Sequence, residues 1–262
     1  MTRIIHLSDL HFGRTRDDLL DPLVETVNGL AADLVVISGD FTQRARTWQF
    51  EQARALLDRL TAPTLSVPGN HDTPLDNLIV RFLWPWARYR RYIDRNLAPV
   101  WEQDLTRVAG VNSVNPFAWQ RGRIGRTASA HIRDTFHGLP EEWFRIAVMH
   151  HPLEHAPEVD KRLMQGAADA LALLGETKVD IVLSGHLHLG SAAPFRAAPG
   201  TLFVQAGTGL STRLRDQDNT FNLLTLARDD LRIDRYAAGQ APRFTLADTS
   251  RFRWAEGVWH RL

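Results

Sequence analysis

The sequence predicts an α/β fold with antiparallel strands added near its C-terminal end. Two observations predict it. Short apolar or β-branched runs alternate with segments whose apolar residues recur at helical spacing, the pattern of strand–helix–strand units. Late in the chain the helical segments stop and strand-like runs follow one another.

Residues 3–7, 34–38, 64–67, 108–111, 145–149 and 181–184 are compact apolar runs of strand length, suited to burial on both faces. Between them, 17–32, 47–60 and 160–174 carry apolar residues at the 3.6-residue period of a helix. Thr47 is the expected N-cap of the second, because Glu51 and an Ala/Leu stripe follow it. Residues 202–205, 221–226 and 231–236 form the late strand run, the last two joined by an Arg-Asp-Asp turn. The tail beyond Leu246 carries Phe252, Trp254 and Trp259, which could pack on the same domain or on another subunit.

One segment breaks the rhythm. Residues 79–96 interleave Phe82, Leu83, Trp84, Trp86, Tyr89 and Tyr92 with Arg81, Arg88, Arg90, Arg91 and Arg95. We expect a small helical cap at about 75–105, inserted in a single domain spanning 1–262. A lid over the substrate is the preferred role. Packing of the rings on the domain, with solvated arginines outside, comes next, ahead of contact of 79–96 with a membrane, and a nucleobase-stacking surface is a further reading.

The composition narrows the function classes. With 44% hydrophobic and 23% charged residues, the 262-residue chain can build an ordinary globular core. Its 31 basic and 30 acidic residues nearly cancel, which gives no electrostatic ground for a dedicated nucleic-acid binder. The absence of cysteine removes disulfides, thiolate metal sites and cysteine nucleophiles. No apolar leader opens the sequence, and no run approaches the roughly 20 apolar residues of a membrane span, so a cytoplasmic protein is expected.

Five clusters of ligand-type residues each follow a predicted strand: Asp9-Leu10-His11, Gly39-Asp40, Gly69-Asn70-His71-Asp72, His150-His151-Pro152 and Gly185-His186-Leu187-His188. Loops beyond the carboxyl ends of strands converge on one crevice in α/β sheets. In an extended segment residues i and i+2 share a side, so Asp9 and His11 should face one cavity, as should His186 and His188. Carboxylates, an amide oxygen and imidazoles together suit manganese, iron or zinc better than magnesium or calcium. There are more candidates than one ion needs. The set suits two ions sharing a carboxylate bridge, the arrangement that stabilises both attacking and leaving oxygens at phosphorus.

The order Asp-x-His, Gly-Asp, Gly-Asn-His-Asp, His-x-Pro, Gly-His-x-His resembles the calcineurin-like metallophosphoesterase superfamily. Ser-Asp-Leu-His-Phe-Gly at 8–13 and Gly-Asp-Phe-Thr-Gln-Arg at 39–44 look most like its bacterial branch of class III cyclic-nucleotide phosphodiesterases. The resemblance implies a four-layer α/β/β/α sandwich. It implies that Asp9, His11 and His188 bind one metal, that Asn70, His150 and His186 bind a second, and that Asp40 bridges them. His71 would serve as charge stabiliser or general acid, with Asp72 orienting its ring. Asn112, His151 and Arg44 are weaker candidates for substrate contact.

The expected activity is therefore a binuclear metal-dependent phosphodiesterase acting on a small phosphoester such as a cyclic nucleotide, through a metal-bound hydroxide. A lipid-linked pyrophosphate hydrolase or a phosphomonoesterase is the alternative within enzymes. A catalytically silent metal-binding interaction module is the alternative outside them. The oligomeric state stays open.

Overall fold

A computed structural model describes residues 1–155, 162–214, 217–227 and 229–262. In chain order the strands are β1 (Thr2–Leu7), β2 (Leu34–Ile37), β3 (Thr64–Ser66), β4 (Val100–Gln103), β5 (Thr106–Gly110), β6 (Phe144–Val148), β7 (Ile181–Ser184), β8 (Ser191–Pro194), β9 (Leu202–Gln205), β10 (Asn219–Ala227), β11 (Asp230–Ala238), β12 (Thr245–Ala255) and β13 (Val258–Arg261). The helices are α1 (Leu20–Gly29), α2 (Thr47–Leu57), α3 (Leu78–Leu83), α4 (Ala87–Tyr92), α5 (Arg126–Phe136) and α6 (Ala167–Glu176).

The strands form two sheets, ordered β13-β12-β11-β10-β1-β2-β3 and β4-β5-β6-β7-β9-β8. In the first, β1, β2 and β3 run parallel and β10 joins β1 antiparallel. In the second, β5, β6, β7 and β9 are parallel, with antiparallel β4 and β8 at the edges.

Strand alternation sorts the core into three layers of side chains. Ile4, Leu34, Val36, Ile146, Val148, Ile181 and Leu183 meet between the two sheets. Their chain neighbours Ile5, Val35 and Ile37 face the other way, onto Leu23 and Val27 of α1 and Phe50 and Leu56 of α2. On the far side of the second sheet, Ala147 and Val182 pack on Ile132 and Phe136 of α5 and Leu171 and Leu174 of α6. Successive side chains of a strand point to opposite faces, so apolar residues at both parities demand cover on both faces. The result is the α/β/β/α sandwich that the sequence resemblance implies.

Several local expectations need correction. The 17–32 helix divides into a 3-10 turn at Asp17–Leu19 and α1, and it stops at Gly29, with Ala31 at φ 46°. Arg46, not Thr47, occupies the N-cap of α2, and its backbone N–H donates to Gln49 Oε1 at 3.2 Å. Of the expected 160–174 helix, Asp160 and Lys161 lie outside the described residues, and the helix begins only at Ala167, after Gly166 at φ 78°. Arg228, of the expected Arg-Asp-Asp turn, also lies outside them. The helical part of the 75–105 region is confined to α3 and α4, and its C-terminal part is β4, hydrogen-bonded to β5. Tyr89 of α4 is buried in the α1/α2 layer, and Arg88 Nη1 donates to the Ala45 carbonyl at 2.7 Å. The C-terminal tail packs on its own chain: Phe252 and Trp259 lie in the inter-sheet core.

Candidate metal centre

Five strand ends deliver the donor residues, three from the first sheet and two from the second. Asp9 and His11 follow β1, Asp40 follows β2, Asn70 follows β3, His150 follows β6, and His186 and His188 follow β7. Backbone bonds stitch these loops together: Asp9 N–H to Gly39 O and His11 N–H to Asp40 O, each 3.0 Å, and Gly185 N–H to His150 O at 3.1 Å.

The local backbone is not extended. Asp9, His11, Asp40, His186 and His188 all have φ between 52° and 73°. Such φ values are uncommon outside glycine and cost free energy, so the surrounding contacts must hold them. The same-side expectation for Asp9 and His11 is met by this left-handed geometry rather than by a strand: His11 Nε2 lies 3.6 Å from Asp9 Oδ1. Leu10, between them, is fully buried in the α1/α2 core layer. Close approach explains a glycine here. A Cβ on Gly185 would stand 1.9 Å from Ser8 Oγ and 2.5 Å from Asp9 Oδ2.

Two donor sets meet at one carboxylate. In the first, His188 Nε2 lies 3.2 Å from Asp9 Oδ1 and 3.1 Å from His11 Nε2. In the second, Asn70 Oδ1 lies 3.2 Å from His150 Nε2 and 3.1 Å from His186 Nδ1. Asp40 Oδ2 stands between them, 3.7 Å from His11 Nε2 and 3.3 Å from His150 Nε2. Its other oxygen accepts the His71 N–H at 2.8 Å. Asp9, His11, Asp40 and His150 are essentially shut off from solvent.

These residues fit a bound cation. His150 Nδ1 donates to Ser38 O at 2.8 Å and His188 Nδ1 donates to Arg213 O at 2.9 Å. Backbone carbonyls only accept, so each ring commits its Nδ1 proton outward and turns Nε2 toward the centre, the arrangement common to metal-ligating histidines. Asp9 Oδ1 is buried without a hydrogen-bond donor. Among the described residues, groups that could hold a metal ion are Asp9–His11–His188, Asp9–Asp40–His150, His11–Asp40–His71 and His150–His151–His186.

Buried charge shapes the electrostatics of the centre. Burial alone would raise the Asp9 carboxyl, but the rings of His188 and His11 set against it hold it well below the carboxylate range. Burial likewise opposes His150, yet the Asp40 carboxylate lifts it to about 9. Burial and the neighbouring rings of His151 and His150 push His186 well down. Asp72 is raised to about 7 by burial and the Asp40 charge, against backbone N–H bonds from Gly69 and Thr42.

Asp72 does not orient the His71 ring. Its carboxylate accepts from Phe41 N (3.2 Å), Thr42 N (2.9 Å), Thr42 Oγ1 (3.0 Å) and Gly69 N (2.9 Å), so it ties the Asp40 loop to the Asn70 loop. The orienting partner is the Gln43 carbonyl, which accepts from His71 Nδ1 at 2.8 Å. Arg213 Nη1 donates to His71 Nε2 at 3.3 Å. Arg213 thus touches the centre twice, through its side chain at His71 and its carbonyl at His188. It sits in a loop with no motif around it, and sequence reasoning did not find it. Gln43 lies inside the 39–44 motif, but its contribution is a backbone carbonyl, which no side-chain pattern reveals.

His151 is buried beside His186, ring centroids 4.8 Å apart, with Nδ1 paired to Ser113 Oγ at 2.9 Å and Nε2 unpaired. It lines a cavity of about 150 Å³ with His186, Gln120 and Arg121. Asn112 instead closes its own turn by accepting the Val114 N–H at 3.0 Å. Arg44 is exposed, and its backbone N–H bonds Gln49 Oε1 at 2.9 Å.

A two-sheet sandwich with Asp, Asn and His donors at the strand ends defines a metallophosphoesterase-type hydrolase. A family model described as calcineurin-like phosphoesterase matches residues 2–190, and the chain belongs to that family. It is similar to the cAMP/cGMP dual specificity phosphodiesterase of Mycobacterium tuberculosis, 28% identical over 253 residues that cover 86% of this chain and 76% of that protein. Among solved structures it resembles a dimetal phosphatase from Danio rerio, with a TM-score of 0.67 at 13% identity over 97% of this chain and 99% of that one. It also resembles a purple acid phosphatase from yellow lupin, with a TM-score of 0.68 at 15% identity over 95% of this chain. The match spans about half, 53%, of the lupin protein. At such identities the structural likeness carries the fold alone.

Proposed function

We propose that the protein is a two-metal phosphodiesterase acting on a small diester such as a cyclic nucleotide. The observation that supports this most is the pair of donor sets meeting at Asp40 Oδ2, with the His71 ring beside them. Asp9, His11 and His188 would hold one ion and Asn70, His150 and His186 the other, with Asp40 shared. Bound there, manganese, iron or zinc ions would polarise the phosphoryl oxygen and activate water.

The chain's own residues do the rest. Gln43 O keeps the Nδ1 proton of His71 in place, so the proton that exchanges is the one at Nε2. Once protonated and turned from Arg213 to the substrate, that atom donates to the departing oxygen as the ester bond breaks. The Arg213 guanidinium beside it adds a fixed positive charge where negative charge develops on the phosphoryl group. His151 faces the cavity next to His186, where it contacts the part of the substrate that does not react.

The test compares bis-p-nitrophenyl phosphate, p-nitrophenyl phosphate and cyclic AMP with manganese-reconstituted protein, beside His71→Ala and Asn70→Ala variants. Diester turnover that both variants lose supports the reading. Monoester preference would replace it with a phosphatase. Two bound metals with no turnover on any diester would refute it.

A further inference from the structure

Helix α3 is built inside out. Arg81 is its only buried residue, 4% exposed. Its guanidinium donates to Thr73 Oγ1 (2.7 Å), Pro74 O (3.2 Å), Pro116 O (2.7 Å) and Ala118 O (2.8 Å). The apolar residues face the other way. Leu78, Ile79, Phe82 and Leu83 are between 43% and 68% exposed, and Trp84, just beyond the helix, is 61% exposed. From the neighbouring loop, Phe117 stacks on Phe82 with centroids 5.4 Å apart, and Trp119, two residues further on, is exposed. Scattered exposed apolar side chains are ordinary, but a contiguous group of this kind marks a surface that something covers. Burial of the charge rather than the rings runs against the desolvation preference of both. The expected packing of these rings on the domain therefore fails for Phe82 and Trp84, leaves Trp86 half-buried, and holds for Tyr89 and for Tyr92, which stacks on Phe50.

Charge selects the occupant. Residues 77–93 contain four arginines and no carboxylate. With Arg81 committed inside, Arg90 and Arg91 are exposed on α4, and Arg121 and Arg123 are exposed just after Trp119. Aromatic side chains at headgroup depth, rimmed by long cationic side chains, are the chemistry of a peripheral contact with an anionic bilayer. A two-fold contact with a second copy would set these arginines against their own equivalents. No helix among the described residues is long and apolar enough to cross a membrane, so such a contact is superficial. We propose that the surface formed by α3, Trp84 and the Phe117–Trp119 loop docks on anionic lipid bilayers. Because Arg81 bonds Thr73, next to Asp72, docking holds the bilayer on the side of the Asn70 loop.

Flotation of the intact protein with vesicles of phosphatidylcholine, alone or with about one-third phosphatidylglycerol, tests this. Binding to the anionic vesicles at least about tenfold stronger than to neutral ones is expected, and it weakens with salt. Ile79→Ser/Trp84→Ser, whose fold is checked by circular dichroism and thermal melting, should lose it. Arg90→Gln/Arg91→Gln should weaken it about tenfold or more. Failure of the intact protein to float with anionic vesicles overturns the proposal, as does binding that survives in the Ile79/Trp84 variant. A solution dimer that this variant converts to monomer overturns it in favour of a second copy of the chain.

Discussion

Gly185→Ala is a one-methyl change that should damage the candidate metal centre without replacing a donor residue. Its φ is not in the left-handed region, so the backbone accepts an L residue and the effect is purely one of space. The added methyl would sit 1.9 Å from Ser8 Oγ and 2.5 Å from Asp9 Oδ2, inside normal contact by more than about 1 Å. Neither neighbour can retreat easily. Ser8 and Asp9 are fully buried, Ser8 Oγ donates to Asp9 Oδ2 at 2.7 Å, and His186 N–H donates to the same oxygen at 3.0 Å. Overpacking of this kind costs about 1–3 kcal/mol, and loss of a hydrogen bond to a charged carboxylate adds about 1.5–3. The sum is about 3–6 kcal/mol, a large fraction of an ordinary domain's stability. Displacing Asp9 also breaks its 3.2 Å approach to His188 Nε2, so metal content should fall. Denaturant unfolding and elemental analysis after metal loading read both effects. Adding Ser8→Ala removes the nearest clashing atom and should recover part of the stability in a double-mutant cycle. A Gly185→Ala protein within about 0.5 kcal/mol of the parent, with full metal content, would refute the steric argument.

Three further outcomes are expected. Arg213→Met should keep metal content, because its carbonyl still serves His188, while kcat falls by about 10²-fold on removal of the charge at His71; unchanged kcat would exclude Arg213 from the reaction. Asp180 is half-buried, and burial raises its carboxyl to about 6, so the folded protein holds that proton more tightly than the unfolded chain does. Its contribution to stability is therefore lost as pH rises from about 4 to 6, by at most about 3 kcal/mol and nearer 1–2 after solvent screening. Asp180→Asn should raise the Tm at pH 8 and leave it unchanged at pH 3.5, where both forms are neutral; an equal shift at both would point to packing instead. Arg81→Met leaves four acceptors without their donor and should cost about 3 kcal/mol or more in chemical unfolding.

How far the sequence carried depended on what kind of residue did the work. The inter-sheet strands were legible because Ile4, Leu34, Ile146 and Ile181 and their neighbours are apolar at both parities. β12 was not, because much of Thr245–Ala255 is exposed and polar, and only pairing with β11 and β13 keeps it a strand. α5 was missed for a similar reason: Ile132 and Phe136 are its only buried residues, too few to set a period. At the centre, donor residues were visible as Asp, Asn and His placed after strands. The groups that aim them were not, since Ser38, Gln43 and Arg213 act through backbone carbonyls. The fine geometry escaped as well, because five left-handed residues are imposed by tertiary contacts and leave no mark on side-chain spacing.

The pairing of β10 with β1 has a consequence for where this protein could be cut. All the donor residues lie before residue 190, within the stretch that the family model matches. Yet β1, which delivers Asp9 and His11, bonds β2 on one side and β10 on the other. A chain ended at residue 190 would keep every donor and strip β1 of half its ladder. An unpaired apolar edge of that length invites association with other chains. The C-terminal hairpins thus act as a guard for β1, covering the apolar edge of the part of the molecule that carries the donors.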